Sequence, residues 1–281
     1  MNISIIEMAD TDYDKVKELI NFEDADADFL LEFKNREKNF NCVYNDDKLV
    51  GIVQIVADKK SYLYIFIDPS YRNNGIGYKT LSLCEEKLFA NNAEQVMTTY
   101  RKDNIYAKTF ANKYGYIRKF SSTYMEYSGE QFNIPELHIR TYCDSDYDKA
   151  HEMYAKSFHD MRISVGDFPD SVIEQPNEKM RKHWAITSDE RLVYMQNDEI
   201  IGYAHIDGNE IGSVSVKTEN QGQGIGRNFV KYISNKILAE GNEIVSLYCV
   251  VGNKAKNLYD SLGFKDIYTA EYSIKSIVRS E

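Results

Sequence analysis

The sequence predicts an α/β protein built from two tandem copies of one domain, each a mixed β-sheet flanked by helices. Short motifs recur in the same order about 150 residues apart, a period that marks a repeated domain. Within each half, alternating apolar residues typical of strands are interleaved with the longer apolar period of helices. The length of 281 residues fits two domains of about 140 residues each. With 43% hydrophobic and 28% charged residues, we expect a folded chain and not a disordered one.

Four pairs of motifs define the repeat. The first pair is 134 residues apart and the other three are 148 to 151 apart, which predicts an insertion of 17 residues in the second copy. It falls in the region Ser157–Trp184, whose aromatic and proline residues fit either a mobile loop or a wall of a substrate site. The matching segments are 12–15 and 146–149, 47–51 and 198–202, 72–77 and 221–226, and 114–116 and 262–264.

The boundary between the copies is predicted in Ser128–Glu136, which contains Gly129 and Pro135. This gives an N-terminal domain over residues 1–130 and a C-terminal domain over residues 137–281.

Each half is predicted to open on a short strand and an acidic amphipathic helix. Apolar alternation at Ile3–Ile5 predicts the first strand of the chain. The helices are predicted over Asp10–Ile20 and Ser145–Phe158, where acidic residues occupy the first turn. A hairpin follows in each half, because Asn- and Asp-rich turns at 45–47 and 196–198 separate two apolar runs.

The rest of each half alternates strands and helices, with a glycine-bearing loop after the next strand. This order predicts a layered α/β fold. The predicted elements are a strand (Tyr62–Ile67; Ile211–Val216), a helix (Tyr78–Asn91; Arg227–Glu240), a strand (Gln95–Tyr100; Glu243–Val250), a helix (Ile105–Tyr114; Lys254–Leu262) and a closing strand.

Charge and composition exclude several classes of function. The net charge of −10 comes without a lysine–arginine block, so a nucleic-acid partner is not expected. An acidic surface instead favours the approach of small cations such as amines. No apolar run approaches the roughly 20 residues of a membrane helix, and the first ten residues do not resemble a signal peptide. We therefore expect no membrane partner.

The cysteines and histidines do not predict a metal site. The four cysteines form no CxxC pair, which argues against a zinc site or a disulfide framework and favours a reducing cytoplasm. His151 and His159 could share a helix face, but no third ligand stands at a suitable spacing.

The glycine loop of the second copy is the strongest functional signal. The sequence Gln221-Gly222-Gln223-Gly224-Ile225-Gly226-Arg227 follows a strand and opens a helix. Glycines let the backbone turn tightly and approach a ligand, and free amides at a helix N-terminus favour a pyrophosphate. The NTPase phosphate loop is excluded because no Gly-Lys-Ser/Thr follows, and the dinucleotide GxGxxG pattern is also absent.

Strand, loop and the downstream Asn253, Tyr259 and Gly263-Phe264 together resemble the GCN5-related N-acetyltransferase superfamily, and the resemblance covers nearly all of each half. It implies acetyl-CoA as co-substrate and no metal. It further implies that the loop amides bind the pyrophosphate, that a strand backbone pairs with the pantetheine arm and that an asparagine approaches the cofactor. Those positions are Val214, Ser215 and Val216 in the strand, Gln221, Gly222, Gln223, Gly224, Ile225, Gly226 and Arg227 in the loop, and Asn253 downstream.

The resemblance also implies a catalytic tyrosine near the thioester sulfur, here Tyr259. A hydroxyl there can protonate the departing thiolate as a general acid, while a strand amide stabilises the developing oxyanion. The acceptor, a primary amine of a small molecule or peptide, must lose a proton. Glu210, His205 and Asp207 are candidates to accept it, and we take Glu210 with Tyr259 as the predicted catalytic pair.

The first copy keeps Arg72, Gly75 and Gly77 but is predicted to be degenerate. Counting back from Gly115 places Ala111 opposite Tyr259 and Ile105 opposite Asn253. A slip of one residue would restore an asparagine, Asn104, but would bring Phe110 opposite the tyrosine, again without a hydroxyl. The second copy is therefore predicted to hold the active site.

Two other functions fit the same motifs. One is a noncatalytic acyl-CoA-binding or sensing protein, against which Tyr259 and Asn253 argue. The other is an aminoacyl or peptidyl transferase that uses charged tRNA, against which the acidic composition argues. The identity of the acceptor and the oligomeric state are not predicted by the sequence.

Overall fold

The computed structural model describes residues 2–20, 29–30, 33 and 39–276. None of the helices within those residues is long and apolar enough to cross a membrane. The strands are β1 (Ile3–Glu7), β2 (Phe40–Asn45), β3 (Lys48–Val56), β4 (Lys60–Ile67), β5 (Gln95–Arg101), β6 (Ile117–Tyr127), β7 (Ile139–Thr141), β8 (Arg191–Gln196), β9 (Glu199–Asp207), β10 (Glu210–Val216), β11 (Val245–Val250) and β12 (Lys265–Ser276). The helices are α1 (Tyr13–Leu19), α2 (Ile76–Ala90), α3 (Ile105–Lys113), α4 (Tyr147–Val165), α5 (Glu178–Ile186), α6 (Ile225–Ala239) and α7 (Lys256–Leu262).

The chain divides into two compact units, which do not coincide with its two halves. The first unit contains residues 1–121 and 269–281, and the second contains residues 122–268. Strand β6 therefore ends in the second unit and β12 ends in the first. The predicted domains, 1–130 and 137–281, follow the repeat in the sequence, whereas the units exchange the ends of their closing strands.

In the first unit, β1 to β5 form a sheet in chain order. Residues 270–276 of β12 complete it by pairing antiparallel to 95–101 of β5. Apolar residues of β3, β4, α2 and α3 form one core, including Val53, Leu63, Leu81 and Leu88. Lys108 on α3 forms an ion pair with the buried Glu271 of β12 (3.0 Å).

In the second unit, the strand order is β7, β8, β9, β10, β11 and then residues 122–127 of β6. Successive side chains of a strand face opposite sides of a sheet. One face packs against α6 and α7 through residues such as Leu247, Phe229 and Phe264. The opposite face packs, at the β8 end, against α4 and α5.

The inserted segment of the second copy is partly helical. Helix α4 continues to Val165, seven residues beyond the predicted end, and α5 is a helix that the sequence did not predict. Trp184 of α5 is buried and stacks on Tyr203 of β9, with ring centroids 4.6 Å apart. This part of the insertion is therefore helical and packs against the core, so it is not a mobile loop. A role of the insertion as a wall of a substrate site stays a prediction.

The elements around the glycine loops confirm the predicted order. The helices predicted over 78–91 and 227–240 are α2 and α6, each beginning two residues earlier than predicted. The hairpins turn at 46–47 and 197–198, as the Asn- and Asp-rich segments predict.

Candidate active site

The glycine loop of the second unit connects β10 to α6 in an open conformation. Gly224 is the N-cap of α6 with φ of 81°, and Gly222 has φ of 74°, a left-handed geometry that glycine adopts without strain. A Cβ at either glycine would find no atom within 4 Å. The first helical bond runs from the Asn228 amide to the Gly224 carbonyl. The amides of 225–227 therefore precede the helical ladder and are available to a ligand.

The two glutamines predicted to bind the cofactor shape the loop itself. Gln221 donates from Nε2 to the Val216 carbonyl at 2.9 Å, and Gln223 donates from Nε2 to the Glu219 carbonyl at 3.1 Å. The Gln221 bond ties the loop back to the last residue of β10. Arg227 donates to the Ser261 hydroxyl of α7. These three side chains therefore fix the conformation of the loop, and the backbone amides of 225–227 remain available to a ligand.

A gap opens between β10 and β11 beside this loop. Among the described residues, the two parallel strands are paired at Glu210 and Ser246 alone, whereas β10 pairs with β9 as far as Val216. On the edge of Val214, Ser215 and Val216 that faces β11, no strand of the described residues is paired. A sheet edge with unpaired backbone groups binds extended chains with amide groups.

A β-bulge at Gly212 interrupts β10 between Glu210 and the gap. Ile211 pairs with Ile206 and Ser213 with His205, which leaves Gly212 as the extra residue. Bulges redirect nearby side chains and are frequent beside active sites. Glu210 pairs with Asp207 and Ser213 pairs with His205, so all four side chains lie on the sheet face opposite α6 and α7.

Tyr259 lies in the apolar core on the α7 side of the sheet. It is 8% exposed, and its ring meets Phe264 edge to face at 5.8 Å. Burial, followed by the neighbouring Cys249 thiol, raises the pKa of the Tyr259 hydroxyl well above its ordinary value. The hydroxyl is therefore protonated at neutral pH, and the same shift makes it a weaker acid than an exposed tyrosine. Among the described residues it has no hydrogen-bond partner.

Asn253 precedes α7 and orders the turn after β11. Its Oδ1 accepts the amide of Ala255 at 3.0 Å, and its own amide bonds to the Val250 carbonyl at 2.9 Å. The side-chain oxygen thus fixes the turn that leads into the helix, and the side-chain NH₂ is the group left for a ligand.

Three tyrosines lie on or beside the sheet face that carries Glu210 and His205, and the sequence did not predict them as site residues. Tyr124 of β6 pairs across the sheet with Tyr248 of β11, and Tyr248 shares a hydrogen bond with Tyr268 of β12 (2.6 Å). Desolvation raises the pKa of Tyr124 to about 12, with the Glu126 and Glu210 charges acting in the same sense. Tyr124 and Glu126 are two residues apart in a strand, so the sequence predicts that they share a face. It does not predict that this part of β6 pairs with β11 of the second unit.

The glycine loop of the first unit has nearly the same conformation. Arg72 donates from Nε to the Ile67 carbonyl at 2.8 Å, and Gly75 is a left-handed N-cap with φ of 78°. Asn73, where the second loop has Gly222, is also left-handed, with φ of 63°. Asparagine tolerates that region, so the replacement of a glycine by Asn73 leaves the shape of the loop nearly unchanged.

The equivalences downstream of the first loop are also settled. Asn104 caps α3 by accepting the Ala107 amide at 3.0 Å, so it, and not Ile105, corresponds to Asn253. At the other helix end, Tyr116 donates its amide to Ala111 as Phe264 does to Tyr259. One part of each alternative holds, Asn104 from one and Ala111 from the other, since the first copy has one more residue between these points. The first unit keeps the asparagine and lacks the tyrosine.

Within the described residues, no group of three His, Cys, Asp or Glu side chains is placed to hold a metal ion.

Both halves match models of one family. Residues 154–278 match the model described as Acetyltransferase (GNAT) domain, and residues 3–116 match that described as Acetyltransferase (GNAT) family. Among curated proteins, the uncharacterized protein YxbD of Bacillus subtilis is 29% identical over 77 residues, which are 27% of this chain. The chain spans about half of that relative's length, 48%.

Solved structures share the fold over almost the whole chain. The GCN5-related N-acetyltransferase from Sphaerobacter thermophilus is 17% identical with a TM-score of 0.69, over 98% of this chain and 95% of its own. A tandem GNAT protein from the clavulanic acid biosynthesis pathway is 13% identical with a TM-score of 0.65, over the full length of both chains. At such identities the likeness shows the fold alone.

Proposed function

The chain belongs to the GCN5-related N-acetyltransferase superfamily as a tandem member, and on this premise we propose that its second unit transfers an acetyl group from acetyl-CoA to a primary amine. The observation that carries the proposal is the gap between β10 and β11, which ends at a glycine loop whose amides face outward. The family membership supports acyl-CoA-dependent N-acetyltransferase activity in general.

The residues around the gap fit the parts of coenzyme A. The open edge of Val214, Ser215 and Val216 suits the amides of the pantetheine arm, and the amides from Gly222 to Arg227 suit the pyrophosphate. The empty space at the Cβ positions of Gly222 and Gly224 lets a phosphate approach the backbone. When bound, acetyl-CoA supplies the activated acyl carbon.

Two side chains are proposed to move protons. Tyr259 gives its hydroxyl proton to the sulfur as the carbon–sulfur bond breaks, and Glu210 receives a proton from the acceptor nitrogen. A backbone amide of β10 near the bulge stabilises the negative charge that develops on the carbonyl oxygen. The face with Glu210, Glu126 and the tyrosines receives the amine, because carboxylates and aromatic rings attract cations.

The first unit is proposed to lack this chemistry. Ala111 stands where Tyr259 stands in the second unit, so the position of the proposed proton donor carries no hydroxyl. In addition, a Cβ on Gly77 would lie 3.3 Å from the Phe110 ring, whereas the equivalent Gly226 meets its nearest atom at 3.7 Å. The helix contact beside the first loop is therefore tighter.

An acceptor screen tests the proposal. Purified protein is incubated with acetyl-CoA and a panel of amines that includes polyamines, aminoglycosides and amino acids, and thiol release is measured. We expect at least one amine to release thiol and to gain the mass of an acetyl group. If acetyl-CoA binds and no amine in a broad panel releases thiol, the noncatalytic acyl-CoA-binding function is the better description.

A further inference from the structure

His205 of β9 lies directly over the bulge of β10. A Cβ on Gly212 would lie 3.0 Å from His205 Nδ1, closer than an ordinary contact, so the imidazole packs directly against the bulge. The side chain is 23% exposed, and its Nε2 lies 3.4 Å from Glu190 Oε2, at the turn before β8. The imidazole is thus held between a carboxylate on one side and the proposed reaction centre on the other.

This arrangement fixes the tautomer of the ring. Because Nε2 faces a carboxylate, the neutral ring carries its hydrogen on Nε2 and leaves a lone pair on Nδ1. Nδ1 has no hydrogen-bond partner in the part of the chain that the structure describes. An unprotonated ring nitrogen beside the bulge is a candidate proton acceptor.

The charges around His205 keep the ring neutral until it is used. Burial lowers the pKa of His205, and the guanidinium of Arg191, directly across on β8, lowers it further. The carboxylates of Glu190 and of Asp207, two residues along β9, act in the opposite sense. Glu190 is 49% exposed, so a proton taken up by the ring has a route to solvent.

The proposed reaction needs a second proton acceptor. A primary ammonium has a pKa near that of lysine, so only about one molecule in a few thousand is free amine at pH 7. To become an amide, its nitrogen must lose two protons, whereas the sulfur takes up one. Glu210 accounts for one of the two.

We propose that His205, oriented by Glu190, takes the first proton from the ammonium acceptor and so generates the nucleophile; this rests on the proposed function. His205 Nδ1 removes a proton from the ammonium, the freed lone pair bonds to the acyl carbon, and the carbon–sulfur bond breaks with Tyr259 protonating the sulfur. The second nitrogen proton passes to Glu210. One of the two protons restores Tyr259, and the other leaves to solvent beside Glu190. The acceptor is therefore a strongly basic, cationic amine.

The test compares His205→Gln with Glu210→Gln in the full chain, using primary amines of graded basicity. His205→Gln should lower kcat/KM by 10² or more for strongly basic amines and by only a few-fold for weakly basic ones, which are already free at pH 7. Glu210→Gln should lower it for all amines alike. In the wild-type protein, kcat/KM should fall at acidic pH with the pKa of His205. In His205→Gln this fall should instead occur at the pKa of the amine.

Two controls separate the outcomes. His183 is an exposed histidine of α5, so His183→Gln should behave as wild type. NMR titration should find a lower pKa for His205 in Glu190→Gln than in wild type, because the Glu190 carboxylate raises that pKa. A defect in His205→Gln that is the same for every amine, or below threefold with a stable fold, overturns the inference. If the wild-type protein acetylates no amine, it is the proposed function that fails.

Discussion

Cys249 and Tyr259 are neighbours in the core of the second unit, and their counterparts in the first unit, Tyr100 and Ala111, have exchanged sizes. Tyr100 stands four residues before the capping Asn104, as Cys249 stands four residues before Asn253. Both members of each pair are buried. The volume is thus conserved, but the hydroxyl of the first unit comes from the strand and is bound to Ser273 at 2.9 Å. The first unit keeps the packing and loses the free proton donor.

The loop glycines give the first prediction. Acetyl-CoA should raise the melting temperature, because a ligand that binds only the native state stabilises by about 2.7 kcal/mol at a hundredfold excess over Kd. Gly224→Glu should abolish this shift by placing bulk and negative charge at the pyrophosphate position. The measurement is a thermal melt with and without acetyl-CoA.

Gly75→Glu is the matched control. Both glycines are left-handed N-caps, so both substitutions strain the backbone and should lower the melting temperature without ligand to a similar extent. Only Gly224→Glu should lose the ligand-dependent shift. The opposite pattern would place the binding site in the first unit.

A second prediction concerns how the free energy of unfolding changes at acidic pH. The Arg140 guanidinium, together with the Cys143 amide, lowers the pKa of the buried Asp146 carboxyl to about 2. A carboxyl with a lowered folded pKa stabilises the protein above its unfolded pKa and loses that contribution as the pH falls. Asp146→Asn should therefore cost about 2 kcal/mol at pH 7. The difference from wild type should vanish as the pH falls from about 4 to 2, as followed by urea unfolding.

Asp12 of the first unit is the control for Asp146. It caps the equivalent turn by accepting the Ala9 amide at 3.1 Å, in an exposed setting. Asp12→Asn should cost less than about 1 kcal/mol, as expected for an exposed cap. Equal losses in the two variants would mean that capping, and not the ion pair with Arg140, stabilises the second turn.

Element order could be predicted from the sequence because each element is encoded locally. The Asn-Asp turns, the glycine loops and the apolar periods specify their own segments, and the structure confirms them. The exchange of closing strands is not local. The ends of β6 and β12 come from equivalent positions of the repeat and both alternate apolar and polar residues, so pattern alone does not choose their partners.

The exchange yields a third prediction, on fragments. Residues 137–281 lack 122–127, so β11 would lose its partner strand and expose an edge. Residues 122–268 keep every strand of the second unit. We expect the fragment 122–268 to melt cooperatively and the fragment 137–281 to aggregate or melt without a clear transition, as followed by circular dichroism. Cooperative melting of 137–281 with a midpoint equal to that of 122–268 would contradict the importance of the exchange.

The candidate site could be predicted only where one segment carries it. The loop residues from Gln221 to Arg227 are contiguous, so their pattern was sufficient. His205 lies over Gly212 because a bulge shifts the register between β9 and β10. No local sequence pattern predicts that bulge. The sequence also could not show that Asn104 corresponds to Asn253. The first copy has one more residue between this asparagine and the end of the following helix, and only the hydrogen bonds at the two helix ends reveal it.

Tyr259→Phe gives the last prediction. If the hydroxyl protonates the departing thiolate, its loss removes an interaction made mainly in the transition state. Both kcat and kcat/KM should then fall together by 10² to 10⁴, or about 3 to 5 kcal/mol, with acetyl-CoA affinity nearly unchanged. Stability should hardly change, because this hydroxyl bonds to no described residue and the ring stays in place against Phe264. Steady-state kinetics with an amine that turns over, and thermal melts, give the two readouts.

Tyr100→Phe provides the reciprocal control in the first unit. It removes a buried hydroxyl that does form a hydrogen bond, to Ser273, so it should cost about 1 kcal/mol of stability and leave kcat unchanged. The two variants delete the same atom from buried tyrosines and should affect opposite properties. Part of the loss in Tyr259→Phe can be masked if water reaches the sulfur, since the thiol of coenzyme A is itself acidic. A fall in kcat of only two- or threefold would make Tyr259 a packing residue and assign the proton to solvent or to another group.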